Sequence, residues 1–401
     1  MTKLSPIFKG KSPLEVFLWA AMCGFLLFAL ISISVVQSFL GMAILAWIVL
    51  LIRKERRLEL PPFVWPLIAY ILLSLLASTF SRDPATSFID SRDLLLTLVI
   101  PLALSAMFSA RAARVALWAL LASAAVSIAY SLAYYVFRAA PGYRVKGFMG
   151  HYMTQAGLLM LFASAALALA LFLRDRSRWW WGLGFALCLP ALGLTLTRSA
   201  WIGLVAAACF LLFLYKPWTV VVIPVFIGLF FLFGPQNMKK RALSIFSRHG
   251  YSNSERIEYF NAGVKIIKEN PWFGTGPHTV DKVFQYPDYG LSEQAKRNVH
   301  LHNNMVQLAA ERGLPALAAW LAFLGWALVA LLRLFRSSDP PLKAAAAAAM
   351  AVVVALFVGG FFEYNFGDSE ITVLFYFLLA YPFALERLGR RDAGQEAQRA
   401  R

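Results

Sequence analysis

Charged side chains are scarce in this chain of 401 residues: they make up 15% of it, and only 21 of them are acidic. Soluble domains usually contain about 25% charged residues. Hydrophobic residues reach 60%, whereas a soluble core stops growing beyond a few hundred residues. The composition therefore excludes an ordinary soluble domain and indicates that lipid solvates much of the apolar surface.

Cysteine is also rare. The three cysteines, Cys23, Cys188 and Cys209, all lie inside apolar runs, where a thiol behaves as a small hydrophobic group. No C-x-x-C spacing is present, which excludes a disulfide framework and the common zinc and redox motifs. We also find no P-loop and no aspartate motif typical of nucleotide-sugar enzymes, so we expect no nucleotide cofactor.

Long apolar runs are abundant instead. Residues 158–173, 201–215 and 344–362 are almost uninterrupted, and a helix needs about 20 apolar residues to cross a bilayer. The sequence predicts an all-α, polytopic integral membrane protein with about twelve transmembrane helices. The predicted spans are 14–33, 35–52, 63–80, 94–109, 112–137, 153–173, 179–196, 199–215, 218–233, 313–332, 344–362 and 371–388.

Basic residues distinguish the two sides of the predicted membrane domain. Lysine and arginine accumulate in cytoplasmic loops, and with twelve spans most of the 38 basic residues fall on the side of the two termini. If the first two spans merged into one helix, every later loop would change sides and this asymmetry would disappear. We therefore expect both termini in the cytoplasm. Because the same rule explains the formal charge of +17, we expect no nucleic-acid partner.

One long polar segment, residues 234–303, interrupts the apolar pattern. It is predicted to be a loop outside the cytoplasm that contains short helices and forms a lid over a site at the membrane edge. Nine predicted spans precede it in residues 1–233, three follow in 304–388, and 389–401 are predicted to be a short disordered cytoplasmic tail. Within the loop, an amphipathic helix is predicted over 257–267, with Ser252 or Ser254 as its N-cap.

Basic residues on the predicted outer side are candidates for a functional role, because the charge rule makes them scarce there. Arg144 and Lys146 lie in one short loop, Arg198 lies at the tight turn between two spans, and Arg256 opens the loop helix. Arginine suits phosphate because its planar guanidinium makes two parallel, charge-assisted hydrogen bonds. These residues could bind the diphosphate of a lipid carrier. Alternatively, Arg198 anchors a helix end at the membrane interface.

Two histidines, His300 and His302, lie where the chain returns to the membrane, and Asn303 follows them. No cysteine or carboxylate cluster nearby in the sequence completes a metal site, so no metal is predicted. Histidine titrates near neutral pH, which favours a general-base role. The alternative is an exposed polar pair that caps the next helix.

Taken in order, these motifs resemble the O-antigen ligase/polymerase superfamily, and most closely the O-antigen ligases of Gram-negative bacteria. The matching elements are Thr197-Arg198-Ser199, Ser254-Glu255-Arg256, Asn270-Pro271-x-x-Gly274-x-Gly276, and His302-Asn303 with nine residues before Gly313. The last pattern is the most specific. Arg144-x-x-Gly147-Phe148, followed by His151, is a looser match.

The resemblance implies transfer of a finished glycan from undecaprenyl diphosphate to a hydroxyl of lipid A–core oligosaccharide. The reaction would take place at the periplasmic face of the inner membrane, with inversion and without metal or cofactor. His302 would be the general base, and Arg198 and Arg256 would bind the diphosphate. Supporting roles would fall to Asn303 beside His302, to Gly313 for close helix packing, and to Arg144, Lys146 and His300.

Three alternatives remain. An O-antigen polymerase would use the same carrier but usually has two sizeable outer loops, and this chain has one. A protein O-oligosaccharyltransferase is usually longer than 401 residues. A lipid-linked glycan flippase or transporter would place charges at mid-membrane in paired halves, whereas the notable charges here lie at the outer edge of the predicted spans.

Overall fold

The computed structural model describes residues 8, 10–138, 143–246 and 251–399, and every regular element in that part of the chain is helical. Seven of the described helices are long and apolar enough to cross a membrane. The prediction of an all-α, polytopic membrane protein is therefore confirmed.

Sixteen α-helices make up the described fold. They are α1 Pro13–Phe28, α2 Ile33–Ile52, α3 Val64–Thr79, α4 Pro84–Asp90, α5 Val99–Ala106, α6 Ala110–Arg138, α7 Tyr152–Phe172, α8 Ser177–Leu194, α9 Arg198–Tyr215, α10 Val222–Phe233, α11 Gln236–Leu243, α12 Tyr251–Glu269, α13 Val280–Val283, α14 Asn304–Phe335, α15 Pro340–Gly359 and α16 Ser369–Arg399. Short 3₁₀ segments extend several of them.

Each predicted span contains helical residues, but three further apolar helices, at 13–28, 64–79 and 217–233, are shorter than a full crossing. The number of twelve spans therefore stays a prediction. The first two predicted spans are separate helices, α1 and α2, because residues 29–32 form a turn between them.

The centre of the bundle is α15, which packs against α7, α9, α14 and α16. Its alanine run, residues 344–349, is buried throughout. Small side chains let helix backbones approach closely, and the same principle applies at Gly203 of α9. A Cβ there would lie 2.7 Å from the carbonyl oxygen of Ala355, so only glycine permits this contact between α9 and α15.

Helix α14 is broken at Gly313, which has a φ of +83°. A Cβ on Gly313 would lie 2.1 Å from the carbonyl oxygen of Trp272, and the Leu314 N–H donates to Pro271 at 2.8 Å. The N–H groups of Thr275 and Gly276 donate to the carbonyls of Ala310 and Glu311, each at 2.9 Å. The glycine-bounded turn therefore caps the first half of α14, because it satisfies carbonyls that a broken helix leaves unpaired.

Two local predictions were wrong. Helix α12 already includes Tyr251, so Ser252 and Ser254 lie inside the helix and neither is its N-cap. The predicted tail, 389–401, is helical as far as Arg399 because α16 continues through it; residues 400 and 401 lie outside the described chain.

Candidate functional site

His300, His302 and Glu363 form one cluster. The Oε1 atom of Glu363 lies 2.8 Å from His302 Nδ1 and 3.3 Å from His300 Nε2. The two imidazole rings are 4.3 Å apart between centroids. Glu363 is only 3% exposed, so its carboxylate contacts the two histidines rather than solvent.

Hydrogen bonds between two chain segments fix this geometry. His302 has a φ of +51°, an unusual backbone conformation that requires support from its surroundings. Asn303 supplies part of that support. Its side chain accepts from the N–H groups of Met305 and Val306 at the start of α14, and its amide donates to the carbonyl of Phe361 at 3.0 Å. The Asn304 N–H also donates to the carbonyl of Gly360 at 2.7 Å.

The amide that contacts the His302 ring belongs to Asn298 and not to the predicted Asn303. Asn298 Nδ2 lies 2.8 Å from His302 Nε2 and 3.2 Å from the Tyr259 hydroxyl. With the amide nitrogen as donor, Nε2 of His302 is the acceptor and Nδ1–H points to Glu363. Asn303 therefore supports the histidine through the backbone, while Asn298 contacts the ring itself.

The two histidines and Glu363 shift each other's pKa values. Burial alone raises the pKa of Glu363, but the imidazoles of His302 and His300 outweigh it and hold that pKa well below its usual range. Burial lowers the pKa of His300, but Glu363 more than compensates, so that the His300 pKa is raised. Glu363 is therefore an ionised carboxylate that can orient an imidazole and stabilise its protonated form.

Sequence reasoning missed Glu363. The absence of a nearby carboxylate was the reason for excluding a metal, and this reason was incomplete, because Glu363 reaches the histidines from 61 positions away. The atoms that His300, His302 and Glu363 could offer to a metal ion lie within 4.8 Å of one another. However, Arg256 Nη2 lies 3.7 Å from Glu363 Oε2, and the Asn298 amide is within hydrogen-bond distance of His302 Nε2. A cation and an amide donor next to these ligand atoms favour a histidine–carboxylate pair over a divalent-metal site.

Arg198 and Arg256 line the same cavity, of about 260 Å³. Arg198 begins α9 and donates through Nη1 to the carbonyl of Ser244 at 2.8 Å. The cavity is otherwise mostly apolar. The structure thus brings the two predicted phosphate-binding arginines together, and Arg256 also connects them to Glu363.

Two more arginines lie close to this cavity. Arg144 donates to the carbonyls of Thr195 and Leu196 at 3.0 and 3.1 Å, and Arg241 donates to Leu196 at 3.0 Å. Burial, and after it the charge of Arg256, lower the pKa of Arg241. Such crowded cations would be stabilised by an anion. Arg241 was not predicted as a site residue, and the predicted Lys146 is an exposed side chain.

A second cavity has a volume of about 250 Å³ and includes one member of the cluster, His300, in its lining. His300 and Tyr364 line it together with several carboxylates. Arg312 pairs with two of these, Asp90 at 3.2 Å and Glu311 at 2.9 Å.

Residues 183–321 match a family model described as O-antigen ligase, which confirms the resemblance found in the sequence. The matched region includes Arg198, Arg256, His302 and Gly313, whereas Glu363 lies outside it. No curated protein matches the chain.

Proposed function

Because the chain carries an O-antigen ligase family region in residues 183–321, we propose that it is a ligase that transfers glycan from undecaprenyl diphosphate to a sugar hydroxyl of lipid A–core oligosaccharide. The reaction takes place at the periplasmic face of the bacterial inner membrane. One observation carries the proposal. Glu363 contacts the candidate base His302 through Oε1, and through Oε2 it contacts Arg256, the candidate diphosphate-binding residue. A base and a phosphate-binding group therefore meet at one point.

His302 acts as the general base in this mechanism. The acceptor hydroxyl replaces Asn298 at Nε2, gives its proton to that nitrogen, and attacks the anomeric carbon of the donor sugar. The bond from that carbon to the diphosphate oxygen breaks, and undecaprenyl diphosphate leaves with the bonding electrons. Because attack and departure occur on opposite faces in this single displacement, the anomeric configuration inverts.

Glu363 positions His302 and does not itself take the proton. Its hydrogen bond to Nδ1 fixes the tautomer that leaves Nε2 free to accept a proton, and its negative charge stabilises the imidazolium that forms. The ion pair with Arg256 keeps this carboxylate oriented.

Arg198 and Arg256 bind the diphosphate in the 260 Å³ cavity. A diphosphate is already a good leaving group, so the protein must mainly supply charge stabilisation and positioning. Two guanidinium groups provide this without a metal. The apolar side chains of the same cavity, including Ile202, Phe246 and Ile257, suit the first isoprene units of the carrier.

The test supplies the purified protein with glycan-loaded undecaprenyl diphosphate and rough lipopolysaccharide. Glycan on lipid A–core supports the ligase. Longer glycan on the carrier alone would indicate an O-antigen polymerase, and transfer only to an added protein acceptor would indicate a protein O-oligosaccharyltransferase. Movement of intact donor across the bilayer without transfer would indicate a flippase.

A further inference from the structure

Two cavities of similar size and opposite charge are lined by the residues on either side of Glu363 in the chain. Its chain neighbour Phe362 lines the cavity that contains Arg198 and Arg256. Its other neighbour, Tyr364, lines the second one, which we call the carboxylate cavity: Asp90, Asp93, Glu311 and Asp368, with His300 and Tyr364. A transferase that joins two substrates needs two sites close to its base. His300 lines the carboxylate cavity and Arg256 lines the other one, and Glu363 contacts both of these residues.

The chemistry of the carboxylate cavity is unsuited to the donor diphosphate. Its only arginine, within the described lining, is Arg312, and that side chain pairs with Asp90 and Glu311. The remaining carboxylates, Asp93 and Asp368, would repel a phosphate. Carboxylates are strong hydrogen-bond acceptors for neutral hydroxyl groups, which are the main polar groups of an unmodified sugar.

We propose that the carboxylate cavity binds the sugar of the acceptor that receives the glycan, and that it selects an uncharged sugar through its hydroxyl groups while rejecting one that bears a phosphate at that position. This inference rests on the proposed function. The cavity volume of about 250 Å³ is at the small end of ligand sites, so it holds one terminal sugar rather than the whole oligosaccharide.

Two polar atoms support a ligand in this cavity. Arg312 Nε and His300 Nδ1 are among the described buried atoms that have no hydrogen-bond partner. The whole Arg312 residue is also buried, with 7% of its surface exposed. Both residues line the cavity. Buried polar atoms are rarely left unsatisfied, and sugar hydroxyls can accept from a guanidinium N–H or bond to an imidazole nitrogen.

The position of His300 links the cavity to the reaction. Its ring lies on the cavity wall and 4.3 Å from the ring of His302, between centroids. A sugar held by Asp93 and Asp368 therefore lies beside His300, whose ring is next to that of His302, and the Tyr364 side chain lines the same cavity. The donor approaches the same histidines from the arginine side.

Asp368 should make acceptor binding depend on pH. Burial, with the charges of Glu363 and Glu370, raises the pKa of Asp368 to about 7. The side chain therefore becomes a carboxylate as the pH rises through about 7. Because the carboxylate is the stronger acceptor for sugar hydroxyls, saccharide binding should tighten over that interval in the wild type. The change should be smaller in Asp368→Asn, where Glu311 and His300 are among the titratable groups that still line the cavity with Asp90 and Asp93.

The direct test is a binding titration that needs no turnover. Core oligosaccharide released from lipid A is titrated against the purified full-length protein and against Asp93→Asn and Asp368→Asn. Each variant should bind about tenfold more weakly, the loss expected for one hydrogen bond to a charged group. Glu293→Gln is the matched control, because that carboxylate is 88% exposed and lies outside the cavity; it should bind like the wild type. Oligosaccharide with a phosphorylated terminal sugar should bind less tightly than the unmodified form.

The outcomes separate this inference from the proposed function. Equal binding by the wild type and both aspartate variants, or no binding at all, would overturn the inference even if the protein transfers glycan to lipid A–core. Aspartate-dependent binding without any transfer would support the cavity and refute the ligase. In a transfer assay, the same variants should raise the KM for the acceptor and leave the KM for the donor unchanged.

Discussion

Glu363 Oε1 lies 2.8 Å from His302 Nδ1, and this contact joins residues 61 positions apart. The contact favours the His302 tautomer with its proton on Nδ1 and places a negative charge beside the ring. The same carboxylate reaches Arg256 at 3.7 Å. The proposed base and the proposed diphosphate-binding site are thus connected through one side chain on the segment that follows α15.

Glu363→Gln should lower kcat by about 10–100-fold, by analogy with the loss on removing a carboxylate that orients a metal-binding histidine. It should also lower the pKa of His300, because Glu363 raises that pKa in the wild type. The imidazole of the variant would then lose its proton at lower pH. NMR titration of protein labelled at its five histidines, together with the pH profile of transfer, measures both effects.

Glu258→Gln is a suitable control for this substitution. Glu258 lies on α12 and accepts from Ser292, away from the histidine cluster, so its removal should change neither kcat nor the titration of His300. An unchanged His300 titration in Glu363→Gln would show that the carboxylate does not act on the imidazole pair.

Arg198→Ala should weaken binding of undecaprenyl diphosphate by about tenfold or more, because one charge-assisted contact to the diphosphate is lost. Arg256→Ala should weaken it similarly and also lower kcat, since Glu363 loses its ion pair. Lysine at either position should restore binding only in part, because an ammonium lacks the planar two-pronged geometry. Calorimetric titration with the carrier and steady-state kinetics measure the two effects.

Arg297→Ala provides the control for both arginine variants. Arg297 is an exposed residue of the 234–303 segment, which also contains Arg256. This variant should bind the carrier like the wild type. If Arg198→Ala and Arg256→Ala bind as tightly as this control, the diphosphate does not occupy the arginine cavity.

Gly313→Ala should destabilise the protein by about 1–3 kcal/mol, because alanine would have to adopt a positive φ and approach the Trp272 carbonyl. Gly325→Ala, also on α14, is the control: no atom lies within 4 Å of its added Cβ, so this substitution should be neutral or slightly stabilising. Thermal unfolding in detergent compares the two variants. Equal melting temperatures would show that the break at Gly313 is not required.

Transfer should be insensitive to a strong chelator. His300, His302 and Glu363 could together offer three ligand atoms, but Arg256 lies next to the second oxygen of Glu363 and would repel a divalent cation. Activity measured after dialysis against EDTA should equal that of untreated protein. Loss on EDTA treatment with recovery on adding zinc or magnesium would instead assign the cluster to a metal.

Local patterns predicted the parts of this protein that depend on local physics. Apolar runs close to the length of a membrane span became helices, and a turn precedes Arg198 at the start of α9, as predicted. The start of α12 was mispredicted. Asn253, inside the helix, donates to the Ser244 carbonyl at 3.0 Å, a tertiary contact that serine-capping rules do not include.

The partners of His302 required the three-dimensional structure. Glu363 lies in the short connection between α15 and α16, and no local motif marks it. A possible signal was its chemistry, since an acidic residue at the end of a predicted span is unusual and often functional. Asn298 contacts His302, and Arg241 contacts Leu196. These contacts likewise form only when the 234–303 segment folds over the ends of α9 and α14.

The most direct measurement of the central claim compares wild type and His302→Ala as purified protein, supplied with glycan-loaded undecaprenyl diphosphate and rough lipopolysaccharide. We expect glycan on lipid A–core with the wild type and at least about a 100-fold loss of transfer with the variant, while carrier binding and thermal stability stay close to wild type. Transfer by His302→Ala at the wild-type rate, or wild-type product found only as longer glycan on the carrier, would contradict it.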